Sequence, residues 1–267
     1  MAITPVHFPL EWSLPMKRAL LFLSVIPSLF FAAGCFAQEA GQPFPTKDGF
    51  TLHLPTDWKP IPADVLDAYT REIARLAPQA EKQVYDYGFQ LSAARRWFTY
   101  PYILVQVKRS GRVPEDQLRS LSKLGEAMDS SFAKAGKSLS SFAANGKIGE
   151  TVLDPSTHTL WTRMSIDVKG VGTINGLIGT VLTETGFIQI SCYAEEQEFR
   201  GYLPAFEAIV KGAVLSDELK YRSGAGDSDP ASGEIGRGAI VGIAVVSIAS
   251  AVLLLLVIRR RREKKQC

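Results

Sequence analysis

The chain has 267 residues, 30 of them Lys or Arg and 27 Asp or Glu, for a formal charge of +3. A basic balance suggests nucleic acid or another acidic partner, but between Gln38 and Gly236 there are 21 basic and 25 acidic residues, a net of about −4. The surplus lies at Lys17, Arg18, Arg237 and the run Arg259 to Lys265 beside apolar stretches, so it marks membrane targeting, and no nucleic-acid partner is expected.

Met16-Lys17-Arg18, the apolar run Ala19 to Phe31 and the small residues after it have the layout of a secretory signal peptide. Residues 1–15 fit no part of that layout, so the expected start is Met16, with cleavage after Ala37 closing an N-terminal segment 1–37. Ala32-Ala33-Gly34-Cys35 also resembles a bacterial lipobox, with Ala where the pattern prefers Leu. Cleavage, lipidation of Cys35 and an uncleaved anchor all leave the middle of the chain outside the cytoplasm.

Phe50, Leu52 and Leu54 alternate with polar residues as in a half-buried strand. Pro62 opens a helix marked by Leu66, Tyr69, Ile73 and Leu76, and Pro78 stops it. Tyr85 to Leu91 and Tyr102 to Val107 are expected strands. Pro114-Glu115-Asp116 starts a second helix, with an apolar stripe at Leu118, Leu121, Leu124, Met128 and Phe132. An antiparallel meander comes next: Ile148 to Leu153, Leu160 to Val168, Ile174 to Thr183 and Phe187 to Tyr193, the last two joined across Glu184-Thr185-Gly186. A final helix carries Phe199, Leu203, Phe206, Val210 and Val214.

Residues 223–237 are rich in Gly, Ser and Asp and are expected to form a flexible linker. Gly238 to Ile258 is 21 residues without a charge, long enough as a helix to cross roughly 30 Å of hydrocarbon. The basic tail 259–267 places that side in the cytoplasm. The expected arrangement is a single-pass protein of the inner (cytoplasmic) membrane, with residues 44–222 as an extracytoplasmic, periplasmic domain. Its expected fold class is α+β, a mainly antiparallel sheet with flanking helices in an α/β/α sandwich, plus the C-terminal transmembrane helix.

Gly49 to Trp58 (GFTLHLPTDW), the late meander and Phe199 to Leu215 (FRGYLPAFEAIVKGAVL) resemble the Mog1/PsbP-type sandwich over about Phe44 to Arg222. The resemblance implies a non-enzymatic accessory or binding module attached to a larger assembly; a shared fold does not by itself fix a function.

Of the three cysteines, Cys192 alone lies in the domain, so no disulfide forms there and stability must come from an apolar core. Cys192 is the candidate nucleophile, with His53 or His158 as base, but it shares strand parity with Ile188 and Ile190 and is expected to point inward. His53 and His158 are expected to be exposed, and no His or Cys pair has metal-ligand spacing, so neither metal nor cofactor is expected. Glu195, Glu196 and Glu198 suit the first turn of a helix. Gly176 and Gly179 suggest close backbone approach.

The most aromatic stretch of the domain is Arg95-Arg96-Trp97-Phe98-Thr99-Tyr100-Pro101-Tyr102. Exposed arginine beside aromatic rings is the composition of binding hot spots, so Arg95, Arg96, Trp97, Tyr100 and Tyr102 form the expected partner contact. The function expected is that of an envelope accessory or binding module without catalysis, its partner an envelope protein. The alternatives are an envelope hydrolase or thiol enzyme using Cys192, and a small-molecule or lipid carrier.

Overall fold

The structure is a computed structural model that describes residues 41–76, 84–118 and 143–222. At its centre is a seven-stranded sheet in which every neighbouring pair is antiparallel. In spatial order its strands are β3 (Trp58–Pro60), β4 (Tyr87–Leu91), β5 (Tyr102–Lys108), β9 (Gly186–Glu195), β8 (Gly172–Thr183), β7 (Thr159–Val168) and β6 (Ala143–Asp154). A second, three-stranded sheet places β2 (Phe50–Leu54) between β1 (Gln42–Pro45) and β10 (Val214–Leu215). The helices are α1 (Ala63–Leu76), the single turn α2 (Glu115–Leu118) and α3 (Glu196–Lys211).

Strand parity divides the interior into two cores. On β5, Tyr102 and Leu104 face a core that includes Leu66 and Tyr69 of α1. Ile103 and Val105 face the other, with Phe206, Ile209 and Val210 of α3 and Phe50, Leu52 and Leu54 of β2. Strands buried on both faces read as continuous apolar runs, and β8 and β9 are buried along nearly their whole length. Strand β7 alternates as its sequence predicts: Leu160, Thr162, Met164, Ile166 and Val168 are buried, while Trp161, Arg163, Ser165 and Asp167 are more open.

The expectation of an α/β/α sandwich ending in a membrane helix is corrected. The described residues form a mostly antiparallel sheet structure, and the layer over α3's face is shared between that helix and the three-stranded sheet. The strands responsible are short: β1 is QPFP, whose two prolines are tolerated because it pairs on one side only, and β10 is two residues. Among the described residues no helix is long and apolar enough to cross a membrane. Residues 238–258, where the spanning helix was expected, lie outside the described residues, as do segment 1–37, linker 223–237, tail 259–267 and Leu121, Leu124, Met128 and Phe132.

Helix α3 lies close on β8. A Cβ on Gly179 would come within 2.2 Å of Cγ1 of Val210, so the bare backbone at Gly179 is what lets the helix seat there. Pro204 sits inside α3 at an exposed position.

Candidate functional site

The segment from Ser92 to Pro101 joins β4 to β5, and side chains of β4 and β3 pin it from below. Gln90, on β4, is wholly buried; its Nε2 donates to the Arg96 carbonyl at 3.0 Å and its Oε1 accepts the Phe98 N–H at 2.8 Å. From β3, the Lys59 ammonium donates to the carbonyls of Ser92 (2.9 Å) and Ala94 (3.1 Å). The Ser92 N–H donates to the Asp57 carbonyl at 2.6 Å. Phe98 adopts φ +60°, a region costly for a bulky residue, and its buried ring stacks on Tyr69 at 4.4 Å. The Tyr100–Pro101 peptide bond is cis.

The upper surface of this loop is cationic and aromatic. Arg95 and Arg96 are exposed, and among the described residues neither guanidinium has an ion-pair or hydrogen-bond partner. Trp97 keeps 36% of its surface open, with the Lys59 ammonium 5.3 Å from its ring centroid. The backbone is already ordered, so a partner meets these groups without paying to organise the loop.

The five expected contact residues therefore divide. Arg95, Arg96 and Trp97 form a surface, whereas Tyr102 is completely buried and Tyr100 is packed against the core below the loop. The reason is parity: Tyr102 begins β5 on the inward side it shares with Leu104. Sequence reasoning missed Lys59 and Gln90, which matter only because β3 pairs with β4 in the register that sets Lys59 opposite Gln90.

Under the loop lies a cluster of phenols. Tyr69 and Tyr85 are 5.7 Å apart, Tyr100 and Tyr102 5.0 Å, and Tyr102 and Tyr193 5.3 Å, ring centre to ring centre. Burial pushes the Tyr69, Tyr100 and Tyr102 hydroxyls above the usual phenol range. The folded state therefore holds these protons more tightly than the unfolded state. That stability is complete below the ordinary phenol pKa of about 10 and is lost as pH rises above it toward the folded values. Each such phenol removes roughly 1.4 kcal/mol per pH unit in that window. The protein is expected to unfold cooperatively above about pH 10, with tyrosinate absorbance and loss of circular dichroism rising together. Phenols that titrate before the fold is lost would contradict this.

Cys192 is fully buried in β9, between Ile103 of β5 and Leu177 of β8, and burial pushes its thiol up. The histidines depart from expectation. His53 is half-buried, its Nδ1 3.0 Å from the Gly212 carbonyl, which requires that nitrogen to carry the proton. His158 has φ +49° and its ring lies 4.6 Å from that of Tyr221. Glu195 precedes α3, with Glu196 and Glu198 in its first turn as expected. No group of three or more His, Cys, Asp or Glu able to hold a metal occurs among the described residues.

On the far side of the sheet an open groove of about 560 Å³ runs between α3 and edge strand β6. Trp161 and Leu177 line it with five ionisable side chains: Glu150, Asp154, Arg163, Glu207 and Lys211. Lys211 Nζ lies 5.6 Å from the Trp161 ring centroid and 3.3 Å from a Glu207 oxygen.

No protein-family model and no curated protein matches the chain. Among solved structures, the solution structure of cyanobacterial PsbP (CyanoP) from Synechocystis sp. PCC 6803 is similar. Sequence identity is 12% and the TM-score 0.42, over 66% of this chain and 93% of that one. This is a weak likeness to a PsbP fold and carries nothing about partners or location.

Proposed function

We propose that this protein is an accessory or binding module of the cell envelope, without catalysis of its own, and that it holds an envelope protein partner through the loop Ser92 to Pro101. One observation carries the reading. Two arginines, unpaired among the described residues, and a part-exposed tryptophan stand on a loop whose backbone is bonded to Gln90 and Lys59. Arginine and tryptophan are the residues that most often dominate protein–protein affinity, above all where they are pre-organised. The envelope location rests on sequence: the signal-like residues 16–37, and the uncharged run Gly238 to Ile258 with the basic cluster behind it.

The alternatives draw less support. A thiol enzyme needs an accessible thiolate, and Cys192 is buried with its thiol pushed up. A carrier of apolar cargo needs an enclosed apolar cavity, and among the described residues the groove beside β6 is open and lined by charges of both signs.

The test is chemical crosslinking in intact cells, followed by purification of the full-length chain. A defined protein partner is expected, with Trp97→Ala lowering its yield roughly 30-fold, the effect of a hot spot worth about 2 kcal/mol. Recovery of the chain with no partner, or undiminished recovery by the Trp97→Ala variant, would contradict the proposal.

A further inference from the structure

The loop shares its end of the domain with a second, oppositely charged group. Gln90 pairs with Tyr102 and Tyr102 with Tyr193, and β9 continues from Tyr193 to Glu195 and straight into α3. The Glu195 carboxylate is near enough to Tyr100 to raise its phenol further, beyond the larger effect of burial. Tyr202 is raised by burial and then by Glu198 and by Asp57, whose carbonyl accepts the Ser92 N–H. Glu195, Glu196 and Glu198 are exposed and, among the described residues, in no ion pair.

The chain leaves the domain at the opposite end. There the Tyr221 hydroxyl donates to the Val113 carbonyl at 2.7 Å, and the Arg222 N–H to Oε1 of Glu184 at 2.7 Å, in the turn that precedes Gly186. Strand β9 runs from Gly186 to Glu195; at roughly 3.3 Å per residue that separates the two ends by about 30 Å. The cationic loop and the acidic start of α3 thus face away from the point where the chain continues toward residue 223.

A partner for this end must satisfy charges of both signs. A lipid surface or a nucleic acid presents anionic groups throughout; pressed against Arg95 and Arg96 it would also be pressed against the glutamates, where like charges repel. A folded protein can place charge piece by piece. We infer that the domain docks, by its end distant from the chain exit, a folded protein face carrying an acidic patch for Arg95 and Arg96, a basic patch for Glu196 and Glu198, and a recess for the Trp97 ring. The inference rests on the binding reading above and adds the glutamates to it.

The test places a photoreactive residue at exposed Ala93 in the full-length chain and measures adducts in cells. Two double variants are compared with the parent: Arg95→Glu with Arg96→Glu, and Glu196→Lys with Glu198→Lys. Glu196→Gln with Glu198→Gln removes the charge more gently if the lysine pair unsettles the helix. Each set is expected to lower the yield of one protein adduct tenfold or more, with melting transitions kept. Adducts that shift to lipid or nucleic acid and rise in the lysine variant would overturn the inference. Loss in the arginine variant alone, with both glutamate variants at parental yield, would also overturn it while leaving the binding reading intact.

Discussion

Substituting Gly179 by valine is expected to cost about 3 kcal/mol or more, at the upper end of the overpacking range. Position 179 lies in β8, hydrogen-bonded to β7 on one side and β9 on the other, so the backbone has no edge along which to retreat. A Cβ there meets Val210 at 2.2 Å to Cγ1, 3.0 Å to Cγ2 and 3.2 Å to Cβ, and Val210 is itself only 2% exposed. Relief requires α3 to lift, which would uncover Phe206 and Ile209 as well. At roughly 2–4 °C per kcal/mol for a domain of this size, the melting temperature falls by about 10 °C. The mechanism has its own signature. In a cycle of Gly179→Ala with Val210→Ala, the double variant should lose less than the sum of the singles, because the truncated valine makes room for the new methyl. Additive losses would show that the contact is not what sets the requirement for glycine.

Replacing Gln90 by leucine, close in volume, is expected to reduce stability by about 1–3 kcal/mol, the penalty for a buried donor left without an acceptor. The Phe98 N–H loses its partner at 2.8 Å and the Arg96 carbonyl loses its donor at 3.0 Å. Burial of the Phe98 ring continues to favour the loop's conformation, but φ +60° at that residue is no longer fixed from below. Partner binding should weaken although Arg95, Arg96 and Trp97 are untouched, since their placement is what changes. Stability is read by chemical denaturation of the full chain and binding by partner yield after crosslinking. A Gln90→Leu protein that is destabilised yet binds at parental level would separate the loop's order from its function and contradict pre-organisation.

Much of the fold was legible where a strand alternates, as β2 and β7 do. The parity of Leu160 through Val168 predicted which side of β7 is buried, and the parity of Cys192 with Ile188 and Ile190 predicted its burial. What could not be read depended on pairing over long distances. β1 carries two prolines and β10 only two residues, and each is a strand because β2 offers it an edge. His53 looked outward by alternation, yet the second sheet brings it against Gly212. In the candidate site, charge marked Arg95 and Arg96 as surface, while nothing in the aromatic run beside them showed that Trp97 stays open and that Tyr100 and Tyr102 go below. Lys59 and Gln90 gave no local sign of their roles, because 31 positions separate two residues that only strand register sets side by side.

The central claim is that the loop between β4 and β5 is the face this protein presents to its partner. The most direct measurement is a scan in cells, placing one photoreactive residue at a time in the full-length chain at Ser92, Ala93, Thr99, Arg163 and Lys220. These sample the loop, the groove beside β6 and the end where the chain leaves the domain. A single protein adduct should peak at positions 92, 93 and 99 and fall at least tenfold at 163 and 220. Equal yields at all five positions, or a maximum at 163, would contradict the claim.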